Sequence, residues 1–275
     1  MTYREAIELG EKILNMANIV DAKNDAWLLL TAACKIDHTF YYMHMDEDMD
    51  SQQVKEFECL IKKRAEHIPL QYITGEQEFM GMTFHVNSNV LIPRQDTETL
   101  VEQALKRVKP GMHIVDMCTG SGCVLISILK NAPKTTGVGC DVSKQALIVA
   151  KENAKRNDVS AEFERSDLFE NVIDKFDMIV SNPPYICTDI IPTLMPEVAQ
   201  FEPLIALDGK EDGLYFYRRI VSESKEYLNE SGMLLFEIGY DQGQEVSDMM
   251  KEAGFSDVCV IKDLARNDRV VYGML

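Results

Sequence analysis

The chain has 275 residues, 46% of them hydrophobic and 27% charged, with a formal net charge of −17. It is long enough for one large domain or two smaller ones, and its composition is that of a soluble globular protein. The acidic balance argues against duplex nucleic acid binding, where cationic contacts to phosphate dominate affinity. No apolar run reaches the ~18 residues that a membrane-spanning helix needs. The start, MTYREAIELGEK, lacks the apolar core of a secretory signal, so a cytoplasmic address is expected.

Residues 1–74 read as helical. In YREAIELGEKILNMANI, Ile7, Gly10, Leu14 and Ala17 recur at helical spacing. NDAWLLLTAACK offers Trp27, Leu28, Leu30 and Thr31 for a second helix. SQQVKEFECLIKKRAEH places Val54, Phe57, Leu60 and Ile61 on one face, with Ser51 as the expected N-cap and Pro69 beyond the end. Residues 75–93 change character. Phe79, Phe84 and Val86 flank a turn at Gly81, which predicts a β-hairpin linking two domains. From residue 94 to 275, strand-like runs (HIVDM, TTGVGCD, AEFERS, FDMIVSN, GMLLFEIG, DVCVIKD, RVVYGML) alternate with helical ones. That alternation predicts a doubly wound, mainly parallel sheet. The stretch from Ile186 to Gly213 is long for a connection, and is read as either a lid or a packed excursion with its own short helix.

Seven cysteines without a C-x-x-C, and five scattered histidines without H-E-x-x-H, predict neither a disulfide framework nor a metal site. The chemistry-bearing residues sit where strands end. The first strand of the sheet runs into Asp116, Cys118, Thr119, Gly120, Ser121 and Gly122. This turn fails the dinucleotide fingerprint, since Leu125 stands where the third glycine belongs, and no G-K-[ST] makes it a phosphate loop. The second ends at Asp141, 21 positions after Gly120, as a ribose-binding acid would. Asp141 would alternatively cap the next helix, a task Ser143 is placed to take. The third ends in Asp167 and Leu168, suited to an adenine amino group and its ring. The fourth ends in Asn182-Pro183-Pro184-Tyr185, a terminator because proline donates no ladder hydrogen bond.

In this order, Asp116, Thr119-Gly120-Ser121-Gly122, Asp141 and Asn182-Pro183-Pro184-Tyr185 resemble a class I S-adenosylmethionine-dependent methyltransferase. N-P-P-Y is similar to enzymes that methylate planar nitrogens, either of nucleic acid bases or of protein glutamine. RAEHIPLQYITGEQEFMGMTFHVNSNVLIPRQDTETLVE, DMCTGSGCVLISI, EPLIALDGKEDGLYFYRRI and FEIGYDQGQ resemble the HemK/PrmC family of peptide chain release factor N5-glutamine methyltransferases. The resemblance runs from about residue 64 onward. Gln95 and Asp96 depart from the family's R-P-E-T-E, while Arg94 and Glu98 keep it, and Cys118 stands where a glycine is common.

What the resemblance implies is specific. The fold would be a seven-stranded class I methyltransferase sheet with a small helical N-terminal domain. Cys118, Thr119, Gly120, Ser121, Gly122, Asp141, Asp167, Leu168 and Asn182 would hold S-adenosylmethionine, leaving S-adenosylhomocysteine as product. Asn182, Pro183, Pro184 and Tyr185 would hold and methylate the glutamine of a Gly-Gly-Gln loop, with Phe79 walling the pocket. Class I release factors would be the partners, received by the helical domain, and the enzyme is expected to be a monomer without direct nucleic acid binding. The rival readings are an N6-adenine or N4-cytosine nucleic acid methyltransferase and a docking protein without catalysis.

Overall fold

A computed structural model describes all residues, Met1–Leu275. The elements in chain order are α1 (Tyr3–Met16), α2 (Ala22–Cys34), α3 (His38–His44), α4 (Ser51–Ala65), α5 (Leu70–Thr74), β1 (Glu76–Phe79), β2 (Met82–His85), α6 (Glu98–Leu105), β3 (His113–Met117), α7 (Cys123–Asn131), β4 (Thr136–Asp141), α8 (Lys144–Arg156), β5 (Glu162–Arg165), β6 (Phe176–Ser181), α9 (Pro196–Phe201), α10 (Leu204–Leu207), α11 (Tyr215–Tyr227), β7 (Leu228–Glu237), α12 (Gly243–Glu252), β8 (Ser256–Lys262) and β9 (Asp268–Met274). No helix is long and apolar enough to cross a membrane.

The chain forms two compact units, one of Met1–Gly75 with Met195–Phe201, the other of Glu76–Leu194 with Glu202–Leu275. In the first, Thr2 starts α1 with a capping box. Its hydroxyl accepts from Glu5 N, and the Glu5 carboxylate accepts from Thr2 N. The buried face of α1 is Tyr3, Ala6, Gly10 and Leu14, so Ile7 and Ala17 lie at its margin. The α2 core face is Ala22, Ala26, Leu29 and Leu30, so of the expected residues Leu30 is buried; Leu28 points outward, and Trp27 stacks on His38 with ring centroids 4.2 Å apart. The N-cap of α4 is Asp50, not Ser51. Asp50 Oδ1 accepts from Gln52 N and Gln53 N, and Gln53 reaches back to Asp50 N. Ser51, one position on, is already helical. Arg64 on α4 is buried against Asp25 at 2.7 Å and reaches Glu197 at 2.9 Å.

The second unit carries the expected seven strands, in the order β5-β4-β3-β6-β7-β9-β8. Strands β5 to β7 run parallel, and β9 pairs antiparallel with both β7 and β8. Alternate residues feed two cores. Val115, Met117, Ile179 and Phe236 face Tyr217 and Ile220 of α11 and Val246 and Met250 of α12. Ile114, Met178, Val180 and Leu235 face Leu100 and Val101 of α6 and the helix α7. The hairpin β1–β2 turns at Met80 and Gly81, both left-handed, as a tight two-residue hairpin turn demands. It belongs to this second unit: His85 N donates to Asn153 Oδ1 of α8 at 2.6 Å, and Met80 N donates to Glu98 at 2.6 Å. Ile186–Gly213 is a structured excursion containing α9 and α10.

Candidate active site

The carboxyl ends of β3, β4, β5 and β6 open on one cleft of about 980 Å³, including its solvent-open part. It lies where the strand order reverses, between β3 and β6, the usual ligand position in an open α/β sheet. Lining it are Asp116, Cys118, Thr119, Gly120, Ser121, Asp141, Asp167, Leu168, Asn182 and Pro184. Gly122 starts α7 just behind this wall.

The turn after β3 is held by carboxylates. Asp116 is 1% exposed and accepts from the Thr119 hydroxyl at 2.6 Å. Burial pushes its pKa up to about 7, against the Thr119 and Leu125 hydrogen bonds. Asp141 Oδ2 accepts from Gly120 N at 2.9 Å, and Oδ1 from Ser143 N at 2.8 Å. Ser143 caps α8, so Asp141 is freed from that task and instead braces the glycine turn. Each Asp141 oxygen keeps a second lone pair for a ligand hydroxyl. Cys118 and Leu168 take left-handed backbone, φ 63° and 52°. A side chain at position 118 thus sits in a conformation that glycine would adopt without strain. Asp167 is exposed and paired with Arg219 at 2.8 Å.

At the end of β6, Asn182 Nδ2 donates to the buried Thr97 hydroxyl at 3.3 Å, while Oδ1 accepts no hydrogen bond. The Pro183 carbonyl likewise receives none. Tyr185 is turned toward the core, its hydroxyl 3.5 Å from Glu237 Oε1 and its carbonyl accepting from Gln242 at 3.1 Å. Burial raises the Tyr185 pKa, so the phenol stays protonated. Its backbone is packed by glycines: a Cβ on Gly213 would collide with the Tyr185 carbonyl oxygen, and one on Gly209 would sit 2.7 Å from Tyr185 Cα. Tyr185 therefore braces the turn behind Asn182 and Pro184, which reach the cleft, while the Pro183 carbonyl stays uncommitted. Phe79 lies elsewhere. It is 1% exposed in the core, edge-on to Phe84 at 6.0 Å, because the hairpin folds its apolar face onto the sheet unit.

Reading the sequence by strand ends missed several cleft residues. Pro93, Arg94 and Thr97 come from the turn before α6, Ile205 and Ala206 from α10, and Phe216 from α11. Arg94 grips Glu202 at 2.6 Å, and Asp96 pairs with Arg269 at 3.1 Å, so the departure at position 96 keeps an ionic partner. The strings IPRQDTE and EPLIALDG marked these stretches without assigning them a task.

Residues 5–75 match the PrmC N-terminal domain family, and residues 94–190 match the methyltransferase small domain family. Among solved structures, a methyltransferase from Pyrococcus furiosus shares the fold with TM-score 0.54 at 15% identity, over 70% of this chain and 89% of that one. Fold and site together define a methyltransferase of the class I type. The chain is 39% identical over 275 residues to a release factor glutamine methyltransferase from Geobacter sulfurreducens, spanning 100% of this chain and 97% of that protein. It is 40% identical over 278 residues to a protein of the same name from Clostridium acetobutylicum, spanning 98% of each. The chain belongs to the release factor glutamine methyltransferase family.

Proposed function

We propose that the protein methylates the side-chain amide nitrogen, N5, of the glutamine in the Gly-Gly-Gln loop of class I peptide chain release factors, in the cytoplasm. The carrying observation is the end of β6. Asn182 is fixed through Nδ2, so Oδ1 and the Pro183 carbonyl remain as two uncommitted acceptors. A primary amide brings two N–H donors.

When bound, S-adenosylmethionine supplies an electrophilic sulfonium methyl, and S-adenosylhomocysteine remains after transfer. The residues present fit that ligand. Asp141 offers spare acceptor positions to ribose hydroxyls, Asp167 to an amino group, and Leu168 an apolar surface to a ring. The left-handed Gly120 has open space where a side chain would stand. An amide nitrogen is a weak nucleophile, since its lone pair is shared with the carbonyl. Asn182 Oδ1 and the Pro183 carbonyl would orient it and stabilise the positive charge that grows as the C–N bond forms and the S–C bond breaks. The two prolines stiffen the carbonyl's placement. The excess proton leaves to solvent. The helical unit would receive the protein partner.

The test uses methyl-labelled S-adenosylmethionine with a release factor, the same factor with its loop glutamine changed to alanine, or DNA. Label is expected on the intact factor alone. Label on DNA would favour a base methyltransferase, and none on any acceptor would favour a docking role.

A further inference from the structure

Glu237 ends β7 and is 2% exposed, yet methyl transfer as described leaves it without a task. Its backbone oxygen accepts from the Tyr217 hydroxyl at 2.9 Å, and Oε1 lies 3.5 Å from the Tyr185 hydroxyl. The other carboxyl oxygen, Oε2, is buried and completes no hydrogen bond. A buried acceptor left open in this way calls for an explanation.

The explanation lies in Thr97. This residue is buried, and its oxygen accepts from Asn182 Nδ2. A hydroxyl has one proton to give, and the carboxyl it bears on is that of Glu237, whose pKa the Thr97 hydroxyl lowers against the effect of burial. An ionised carboxylate only accepts. It therefore draws the Thr97 proton and leaves the Thr97 lone pair to Asn182. The Asn182 amide is nearly symmetric in shape, so its orientation is decided by the polarity of its partner.

We propose that Glu237, acting through Thr97, fixes Asn182 with Nδ2 inward and Oδ1 toward the acceptor amide. Glu237 and Thr97 are positioning residues, and the inference rests on the proposed role of Asn182. Reversing the polarity reverses the amide. A protonated Glu237, or a glutamine there, can donate to Thr97. Thr97 then donates to Asn182 Oδ1, and two N–H groups confront each other across the site.

Ionised and titratable groups surround Glu237: Arg269 from β9, Asp96 from the turn before α6, Tyr185 beyond β6, Tyr217 from α11 and Cys123 from α7. Burial raises its pKa to about 7, opposed first by Thr97 and then by Arg269. Activity should therefore rise with pH across that range.

The experiment compares kcat, KM and pH profiles of the full-length enzyme with Thr97→Val, Thr97→Ser, Glu237→Gln and the Thr97→Val/Glu237→Gln double variant. Thr97→Val and Glu237→Gln should each lower kcat by about 100-fold, the scale of a misplaced reacting group, with KM and cofactor affinity little changed. The double variant should be no slower than the slower single one, since both break one relay. Thr97→Ser, which keeps the hydroxyl, should restore most of the rate. The acidic limb of kcat/KM should weaken in Glu237→Gln, although Asp116 is still present. Wild-type kcat in Thr97→Val, additive losses, or an unchanged limb in Glu237→Gln would each overturn the relay. An inactive Asn182→Ala beside a fully active Thr97→Val sinks the relay alone, whereas a fully active Asn182→Ala sinks the underlying reading. If Glu237→Gln fails to fold, the Thr97→Val and Thr97→Ser pair decides.

Discussion

The two units each bury a charged cluster, and the two clusters are finished differently. In the helical unit, Arg64 is held by Asp25 at 2.7 Å, Glu197 at 2.9 Å and the Ile68 carbonyl at 3.3 Å, and His67 reaches Glu197 at 3.1 Å. No buried atom of that cluster lacks a partner. At the edge of the sheet, Arg269 meets Asp96 and Asp263, but the polar chain beside them ends at Asn182, whose Oδ1 accepts nothing. Low dielectric makes polar networks strong when complete and costly when not. A network that closes on itself holds structure. One that ends in open acceptors is suited to receive N–H groups from elsewhere.

The largest effect should come from breaking the closed cluster. Arg64→Ala leaves Asp25 buried and unpaired, which should cost about 3–5 kcal/mol in urea unfolding. Replacing both residues with leucine should be far milder. If Arg64→Ala costs less than about 1 kcal/mol, a typical surface pair's worth, the cluster is not structural. The open cluster should respond the opposite way. Asn182→Ala should lower methyl transfer by about 100- to 1,000-fold, as the loss of an oriented polar contact to the transition state does. Its unfolding midpoint and its calorimetric affinity for S-adenosylmethionine should hardly move.

Titration probes the sheet unit next. Glu237 is raised from 4.5 to about 7, and Asp116 from 3.8 to about 7, both chiefly by burial. The folded state therefore binds their protons more tightly than the unfolded state. Their contribution to stability is complete below the unfolded values and is lost as pH rises through about 7. The protein should melt at a lower temperature at pH 8 than at pH 5.5. Glu237→Gln should narrow that gap and melt higher than wild type at pH 8, while transferring methyl groups more slowly. An equal gap in the variant would mean that Glu237 is ionised throughout.

Much of the sheet unit was legible because its pattern is local. Strand runs end in Asp116, Asp141, Asp167 and Asn182, and each end reaches the same edge once strand order is known. Thr97 and Glu237 were not legible as a pair. They stand 140 positions apart in the sequence and meet only where the turn before α6 reaches the ends of β6 and β7. Phe79 was misplaced for a related reason: an aromatic in a hairpin looks the same in sequence whether it walls a cleft or fills a core. In α2, alanines and leucines surround Trp27 on every side, so periodicity alone does not choose the buried face. The cap of α4 could have been found, since Asp50 has Gln53 three positions on, the spacing of a capping box.

Asp141→Ala should have a smaller effect than the changes above. It removes the proposed acceptor for ribose and also frees Gly120 N and Ser143 N, so the glycine turn loosens with it. The expected outcome is a loss of cofactor affinity of about tenfold, near 1.4 kcal/mol, seen by calorimetry. Unchanged affinity would remove Asp141 from the binding site while leaving its bracing of the turn intact.

Cys118→Gly should have the smallest effect, because three terms oppose one another. Cys118 sits at φ 63°, where a side chain costs about 1–2 kcal/mol and glycine does not. Glycine also widens the unfolded ensemble, worth about 0.4–1 kcal/mol against folding. The thiol packs partly buried against the core, and that contact would be lost. Burial holds its pKa well above the ordinary value, so it is a protonated apolar filler rather than a nucleophile. The sum should lie within about 1 kcal/mol of zero, a shift of about 2–4 °C in melting temperature at most. Cys118→Val keeps the strain and adds β-branching, so it should destabilise clearly. If valine were tolerated as well as glycine, the left-handed turn beneath the cofactor cleft would be relaxing freely, and strain would play no part in shaping this edge of the sheet.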